Sequence, residues 1–171
     1  MSSSRTVTIR PLTGDDYERI TWALCAAVAW DPHRELPPFE ALPRHPEIAR
    51  YHQGWGRPGD IGVVAEVDGE FAGTAFCRLF TDDDHGHGFV DGETPELAVA
   101  VAEGWRGRGV GTQLMNGLSN AVRLAGIGTL SLSVDIENPA RRLYERLGYR
   151  EVSVDQGGVR MLLDLGEAKQ P

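Results

Sequence analysis

Apolar and polar residues change their period several times along the chain, and each change marks an element. Thr6-Val-Thr-Ile-Arg-Pro-Leu12 alternates and predicts a first strand. Thr13 or Asp15 then serves as N-cap for a helix with Tyr17, Ile20, Trp22, Leu24, Ala27 and Val28 on its apolar face. That helix should stop before Asp31-Pro32, and the prolines from Pro32 to Pro46 leave no room for another long one. A short helix is predicted from Pro46 to about Trp55, followed by a turn at Gly56-Arg-Pro-Gly-Asp60. Ile61 to Val67 and Glu70 to Phe80 read as strands. They flank Asp68-Gly69, the strongest short signal for an antiparallel hairpin.

Thr81-Asp-Asp-Asp-His-Gly-His-Gly88 is polar throughout and reads as a solvated, mobile loop. A strand is expected from about Thr94 to Val101, then a glycine-rich turn from Gly107 to Gly111. Val110, Leu114, Leu118, Val122 and Ala125 recur at three and four, which predicts a helix ended by Gly126. Leu130, Leu132 and Val134 alternate with polar residues in a further strand. Asn138-Pro139 supplies a cap and a first-turn proline for a helix that ends at Gly148. Tyr149 to Val154 and Val159 to Leu165 form a closing hairpin around Gln156-Gly-Gly158, and residues 166–171 read as a loose tail. Antiparallel pairs come first and a β-α-β unit comes late. The fold class is therefore α+β, a mixed and mostly antiparallel sheet flanked by helices, not a doubly wound parallel sheet.

Composition narrows the function. The 171 residues suit one domain at roughly 100–200 residues per domain. With 41% hydrophobic and 25% charged residues the chain is globular in character. No apolar run approaches the ~18 residues of a membrane span, so no membrane partner is expected. Met1-Ser-Ser-Ser-Arg-Thr6 lacks the apolar stretch of a signal peptide, which predicts a cytoplasmic location. Cys25 and Cys77 fall in apolar patterns and read as buried free thiols of a reducing compartment. A formal charge of -8 argues against nucleic acid as a partner. All the basic residues except Lys169 are arginines.

The most informative segment is Val99-Ala-Val-Ala-Glu-Gly-Trp-Arg-Gly-Arg-Gly-Val-Gly-Thr112. A strand leads through an arginine-flanked glycine turn into a helix. Glycines let several backbone N–H groups converge, and the helix dipole adds a positive field, so the turn suits an anion such as a pyrophosphate. Thr112 stands where a dinucleotide fingerprint begun at Gly107 needs its third glycine, and no Gly-Lys-Ser/Thr exists for a Walker loop. A tight turn without a ligand is the bland alternative.

Arg106-Gly-Arg-Gly-Val-Gly111 resembles the Arg/Gln-x-x-Gly-x-Gly/Ala signature of the GCN5-related N-acetyltransferase (GNAT) family. Asn138-Pro-Ala-Arg-Arg-Leu-Tyr-Glu-Arg-Leu-Gly-Tyr149 resembles that family's second segment, in the right order and at the right separation. The resemblance is specific over about 94–151 and rests on element order over 5–80. It implies two central strands that splay apart around acetyl-CoA as cosubstrate, with no metal. Val99, Ala100 and Val101 would meet the pantetheine arm. Arg106, Gly107, Arg108, Gly109, Val110, Gly111 and Thr112 would meet the pyrophosphate. Asn138 would touch the same arm or merely cap its helix. The implied reaction is direct transfer of acetyl to a primary amine on a small molecule or peptide, with homodimers frequent in the family. A catalytically weak acyl-CoA sensor on the same fold is the alternative.

The resemblance also assigns catalytic candidates. Tyr144 matches the tyrosine that protonates the CoA sulfur in many members; the competing role is packing beside Leu143 and Leu147. Glu96 is the only carboxylate in the strand before the turn and the candidate base, although counting from Arg106 puts it about one residue out of register, and one residue reverses the face. Ser133 occupies the later strand's position where other members carry glutamate, and Asp135 or a water chain are further options. Asp82 to His87 could attract a metal, but its glycines favour a loop without one; His33, His45 and His52 are scattered. Trp30 and Trp55 flank the proline-rich segment where the family builds its acceptor pocket. Asp82, Asp83, Asp84, Asp91 and Glu93 precede the cleft strand and would favour a cationic acceptor.

Overall fold

A computed structural model describes residues 5–166, so the predicted tail lies, beyond Gly166, outside the described residues. The chain runs β1 (Val7–Pro11), α1 (Tyr17–Val28), α2 (Pro46–Ala49), β2 (Ile61–Val67), β3 (Glu70–Arg78) and β4 (Glu96–Val101). It continues through α3 (Val110–Leu124), β5 (Thr129–Asp135), α4 (Arg141–Arg146), β6 (Arg150–Asp155) and β7 (Gly158–Asp164). The strands form one mixed sheet in the order β1-β2-β3-β4-β5-β7-β6, antiparallel everywhere except between β4 and β5. This is the expected α+β class.

Two hairpins frame the sheet. Asp68 (φ 51°) and Gly69 (φ 86°) are both left-handed, as are Gln156 (φ 50°) and Gly157 (φ 80°). Two successive left-handed residues give the turn whose twist matches its flanking strands.

Side-chain alternation divides the core between the two faces of the sheet. Ala75, Cys77 and Leu97 face α3, where Val110, Leu114, Met115, Leu118 and Val122 are buried. Phe76, Ala98 and Ala100 face the other way, towards α1 and the segment after it, through Ile20, Ala23, Leu24, Leu42 and Ile48. The period of two also places Glu96 with Ala98 and Ala100, on the face of α1 and α2.

Several boundaries differ from expectation, each for a local reason. The N-cap of α1 is Asp16 rather than Thr13 or Asp15: Thr13 begins a preceding 3-10 turn, and its N–H donates to Asp16 Oδ2 at 2.9 Å. Asp16 also takes both guanidinium donors of Arg10, at 2.8 and 2.9 Å, which hold its carboxyl well below the usual range. Strand β4 starts at Glu96 rather than Thr94 because Pro95 has no N–H for the ladder; its carbonyl accepts from Ser131 N instead. Only four residues of α2 are helical, and turns carry the chain on to Gly54. Two residues after Asn138, Pro139 and Ala140, are spent in a turn before α4 begins. Cys25 and Cys77 are free and buried, and burial pushes the Cys77 thiol up to about 12. Among the described residues no helix is long and apolar enough to cross a membrane.

The last residue of β3, Arg78, is buried to 1% exposure. Its guanidinium binds both Asp60 oxygens at 2.9 and 2.8 Å and donates to the carbonyls of Arg50 (3.0 Å) and Gln53 (2.7 Å). Asp60 also accepts from the amides of Gly56 and Arg57, both at 2.9 Å. This ion pair ties the irregular segment from Arg50 to Asp60 to the sheet. Removing one partner of such a pair strands the other without solvent. Arg78→Leu should therefore lower unfolding free energy by about 3–5 kcal/mol in urea titrations. Adding Asp60→Asn should restore part of it; a loss below about 1 kcal/mol in the single variant would show the pair to be dispensable.

Candidate active site

Glu96 and Ser131 make the only residue pair between β4 and β5. Beyond it the strands part, and β4 passes from buried at Glu96 and Leu97 to half-buried over Ala98 to Val101. A cavity of about 1030 Å³ opens over this gap. The end of α1 and the following segment wall it on one side through Val28, Trp30, Leu36 and Leu42. The β6–β7 hairpin walls the other through Asp155, Gln156 and Arg160. The side of β4 that faces β5 thus carries backbone polar groups without ladder partners, which an extended polar ligand could satisfy.

The glycine turn follows the far end of β4. After a 3-10 turn at Glu103–Trp105, Gly107 (φ 71°) and Gly109 (φ 81°) adopt left-handed backbone, and Gly109 is the N-cap of α3. A side chain at Gly107 or Gly109 would meet no atom within 4 Å, so their value lies in conformation and open approach. Val110 is buried and offers the site only its backbone. Gly111 lies against Leu143 of α4, and Thr112 is half-buried. Arg106 donates to Val101 O at 3.2 Å and lines the cavity, whereas Arg108 stacks over Trp105 at 5.4 Å. Val99, Ala100, Val101, Asn138 and Tyr144 also line the cavity; Gly107 to Thr112 lie outside its lining. Asn138 Oδ1 accepts from Ala140 N at 3.0 Å, closing the turn before α4.

Tyr144 projects from α4 beside Tyr149, ring centroids 6.1 Å apart, and burial pushes its phenol up to about 12. Glu96 is 3% exposed and reaches the same cavity. Its Oε1 accepts from the Tyr51 hydroxyl at 2.5 Å and the Gly88 amide at 2.9 Å. Burial raises its pKa above the ordinary carboxylate range, and these two donors partly offset the rise. Ser133 and Asp135 line the cavity further along β5.

Two expectations need correction. The Thr81–Gly88 loop is not solvated along its length: Gly86 and Gly88 are buried on Glu96, and a Cβ at Gly88 would come within 2.8 Å of its Oε1. His85 stacks on Phe89 at 4.3 Å, and among the described residues no three potential ligands gather as a metal site would need. Asp82, Asp83, Asp84, Asp91 and Glu93 do not line the cavity; its carboxylates are Glu35, Glu47, Glu96, Asp135 and Asp155. Of the two tryptophans, Trp30 lines it while Trp55 packs on Phe76. His45 lines it too, and His52 is buried between the Tyr17 hydroxyl (2.6 Å) and Pro43 O (2.8 Å). Sequence reasoning missed Tyr51 altogether, because it sits in an aperiodic turn 45 positions from its partner.

A model of the acetyltransferase (GNAT) family matches residues 24–149. The chain belongs to that family. An N-acetyltransferase of Methanocaldococcus jannaschii is 32% identical over 99 residues, 57% of each protein. The chain spans 39% to 57% of the length of the curated relatives it matches. The YncA protein of Salmonella typhimurium, solved with acetyl-CoA, superposes with a TM-score of 0.66 at 23% identity, covering 97% of this chain and 98% of that one. The PaiA N-acetyltransferase of Thermoplasma acidophilum, solved with coenzyme A, gives 0.68 at 16% identity, covering 93% and 99%. At these identities the likeness extends to the GNAT fold.

Proposed function

We propose that the chain is an N-acetyltransferase that moves acetyl from acetyl-CoA to a primary amine within a ternary complex. The observation that carries this reading is the single pair at Glu96–Ser131. It leaves a strand edge along a cavity that Glu96, Arg106 and Tyr144 all line, with the glycine turn following Arg106. Acetyl-CoA supplies the activated acyl group. The amides of Arg106 to Thr112 would hold its pyrophosphate, and β4 from Val99 to Val101 would hold its amide arm, with Asn138 beside it. Free buried thiols suit a reducing compartment, so the reading includes a cytoplasmic location.

An alkylammonium has a pKa near ~10.4 and must lose a proton before it attacks. Glu96, with its raised pKa, accepts that proton and passes it to solvent. Backbone N–H groups of β4 stabilise the oxyanion as the new C–N bond forms. Tyr144 donates its proton to sulfur as the C–S bond breaks, and the second amine proton restores the phenol. Per turnover one ammonium yields one amide, one thiol and one released proton. A phenol near 12 stays protonated at neutral pH, as an acid must. Carboxylates line the cavity beside Arg34, Arg106 and Arg160, and with a formal charge of -8 they favour a cationic acceptor.

Acetyl-CoA at one hundred times its Kd should stabilise the fold by about 2.7 kcal/mol, read as a rise in Tm. Gly111→Glu, which adds charge and bulk against Leu143, should abolish the rise; a shift from ATP or NAD with none from acetyl-CoA rejects the reading. Tyr144→Phe should lower kcat by ~10²-fold while leaving acetyl-CoA binding nearly unchanged. Turnover within about threefold of the parent would make Tyr144 a packing residue. For the acceptor, kcat/KM measured at two salt concentrations should favour cadaverine over aminohexanoate, with the margin shrinking as salt rises. Preference for the anionic amine at low salt would overturn the charge argument.

A further inference from the structure

Glu96 and Arg78 stand directly opposite each other on β4 and β3. Residues so placed share a face, and opposite charges there normally pair. These do not. Arg78 is committed to both oxygens of Asp60 and to the carbonyls of Arg50 and Gln53. The buried carboxylate is thus left with neutral donors alone, and both fall on one oxygen. The Tyr51 hydroxyl and the Gly88 amide bind Oε1, whereas Oε2 is buried and has no partner among the described residues. Oε2 faces Gly86, where a Cβ would come within 2.6 Å of it and would also overlap the Tyr51 hydroxyl.

Tyr51 is itself held from three sides. The carbonyl before it is fixed by Arg78, and its ring packs edge-on against Phe80 at 5.2 Å. The guanidinium of Arg50 reaches across to His85 O and lies 3.6 Å from Asp84, drawing the Gly86–Gly88 loop onto the same carboxylate. So much irregular backbone converges here that a packing role for the tyrosine alone would leave its hydroxyl unexplained.

We propose that Tyr51 is a positioning residue for acetyl transfer: its hydroxyl, with the Gly88 amide, fixes the Glu96 carboxylate by Oε1 and so sets the pH range over which it can act as base. This rests on the acetyltransferase reading above, with Glu96 as base. The proton moves from the amine nitrogen through water to the Glu96 carboxylate, which becomes a carboxylic acid, and the proton later returns to solvent. Tyr51 exchanges none; it keeps its own proton throughout, in line with a phenol raised well above its ordinary value by burial and by Glu96. The other charged or titratable groups around the carboxylate are His85 and His87 on the loop, Arg50 beside Tyr51, and Arg78 on β3, the last neutralised by Asp60.

The test is the titration of Glu96 in the whole protein, by carbon-13 NMR of chains labelled at the glutamate carboxyl. Glu96→Gln identifies the resonance. Tyr51→Phe keeps the ring and removes one hydrogen bond to the charged form, so the sign is fixed: the carboxyl should titrate higher, by about one pH unit. With the better of the two amines above, the acidic limb of kcat/KM should move up with it and the rate should recover at high pH, with acetyl-CoA binding unchanged. A midpoint that stays in place or falls overturns the role of Tyr51, whether or not any amine is acetylated. A midpoint that rises while the limb stays put overturns the assignment of Glu96 as proton acceptor. A loss of rate equal at every pH would mark Tyr51 as structural only. If neither amine is acetylated, the transferase reading fails separately and the NMR midpoint alone decides the Tyr51–Glu96 contact.

Discussion

One missing set of hydrogen bonds organises this molecule. A parallel pair of central strands would ordinarily be laddered along its length and covered on both faces. Here β4 and β5 meet at Glu96–Ser131 and then separate. Backbone groups that fail to pair inside a protein are costly unless something else satisfies them. One local substitute is present: Arg106 reaches back to the carbonyl of Val101. The remaining edge lies along a cavity large enough for an extended ligand. On the proposed reading the gap also sets where chemistry occurs, at the residues that border both the β4 edge and the cavity. Glu96 stands at the last pair, and Tyr144, on the helix after β5, lines the same cavity.

The Glu96–Ser131 junction also sets the demands on the rest of the chain. A carboxylate at the junction is buried by the two strands beneath it, and with no cation to pair it would take up a proton at unhelpfully high pH. The segment from Arg50 to Asp60 and the loop from Asp84 to Gly88 answer this with two neutral donors. Neither is a regular element, so each needs fastening. Arg78 fastens the first to β3, and Arg50 joins the second to the first. The two guanidiniums hold backbone and leave the carboxylate to the phenol and the amide.

Regular structure was legible in the sequence wherever periodicity or turn chemistry was strong. Asp68-Gly69 gave its hairpin and the three-and-four spacing gave α3, and both glycines needed at Gly107 and Gly109 were visible as a turn into a helix. The two motif blocks carried the family, which the match over residues 24–149 bears out. What stayed hidden were contacts distant in sequence. Nothing near Tyr51 marks it as a partner of Glu96, since its turn has no period. The glycines of His85-Gly-His-Gly88 read as looseness when they are in fact the absence of side chains beneath a packed carboxylate. Register was the third gap. Counting from Arg106 could not say which face Glu96 takes, because the turn between them has no period and the face is set by pairing with β3, where Glu96 stands opposite Arg78.

Charge misled in a related way. A run of acidic residues next to a cleft strand suggests a charged entrance, yet proximity in sequence is not proximity to a cavity. Asp84 is drawn to Arg50, and Asp91 accepts from the backbone amide of Glu93. The carboxylates that do line the cavity come from separate places: Glu35 and Glu47 from the segment after α1, Asp135 from the end of β5, Asp155 from the tip of the last hairpin. They surround the opening rather than sitting on one side of it. A field built this way acts on a ligand's approach from several directions and depends on the 30–48 segment holding its place. That segment is fixed chiefly by Leu42 and Ile48 packing on α1 and by His52, which bridges Tyr17 and the carbonyl of Pro43. This wall of the cavity therefore hangs on a few apolar contacts and one buried imidazole, while the carboxylate beneath it is held by the sheet and two guanidiniums. Substitutions in the wall can reshape the entrance without disturbing the Glu96 end of the site.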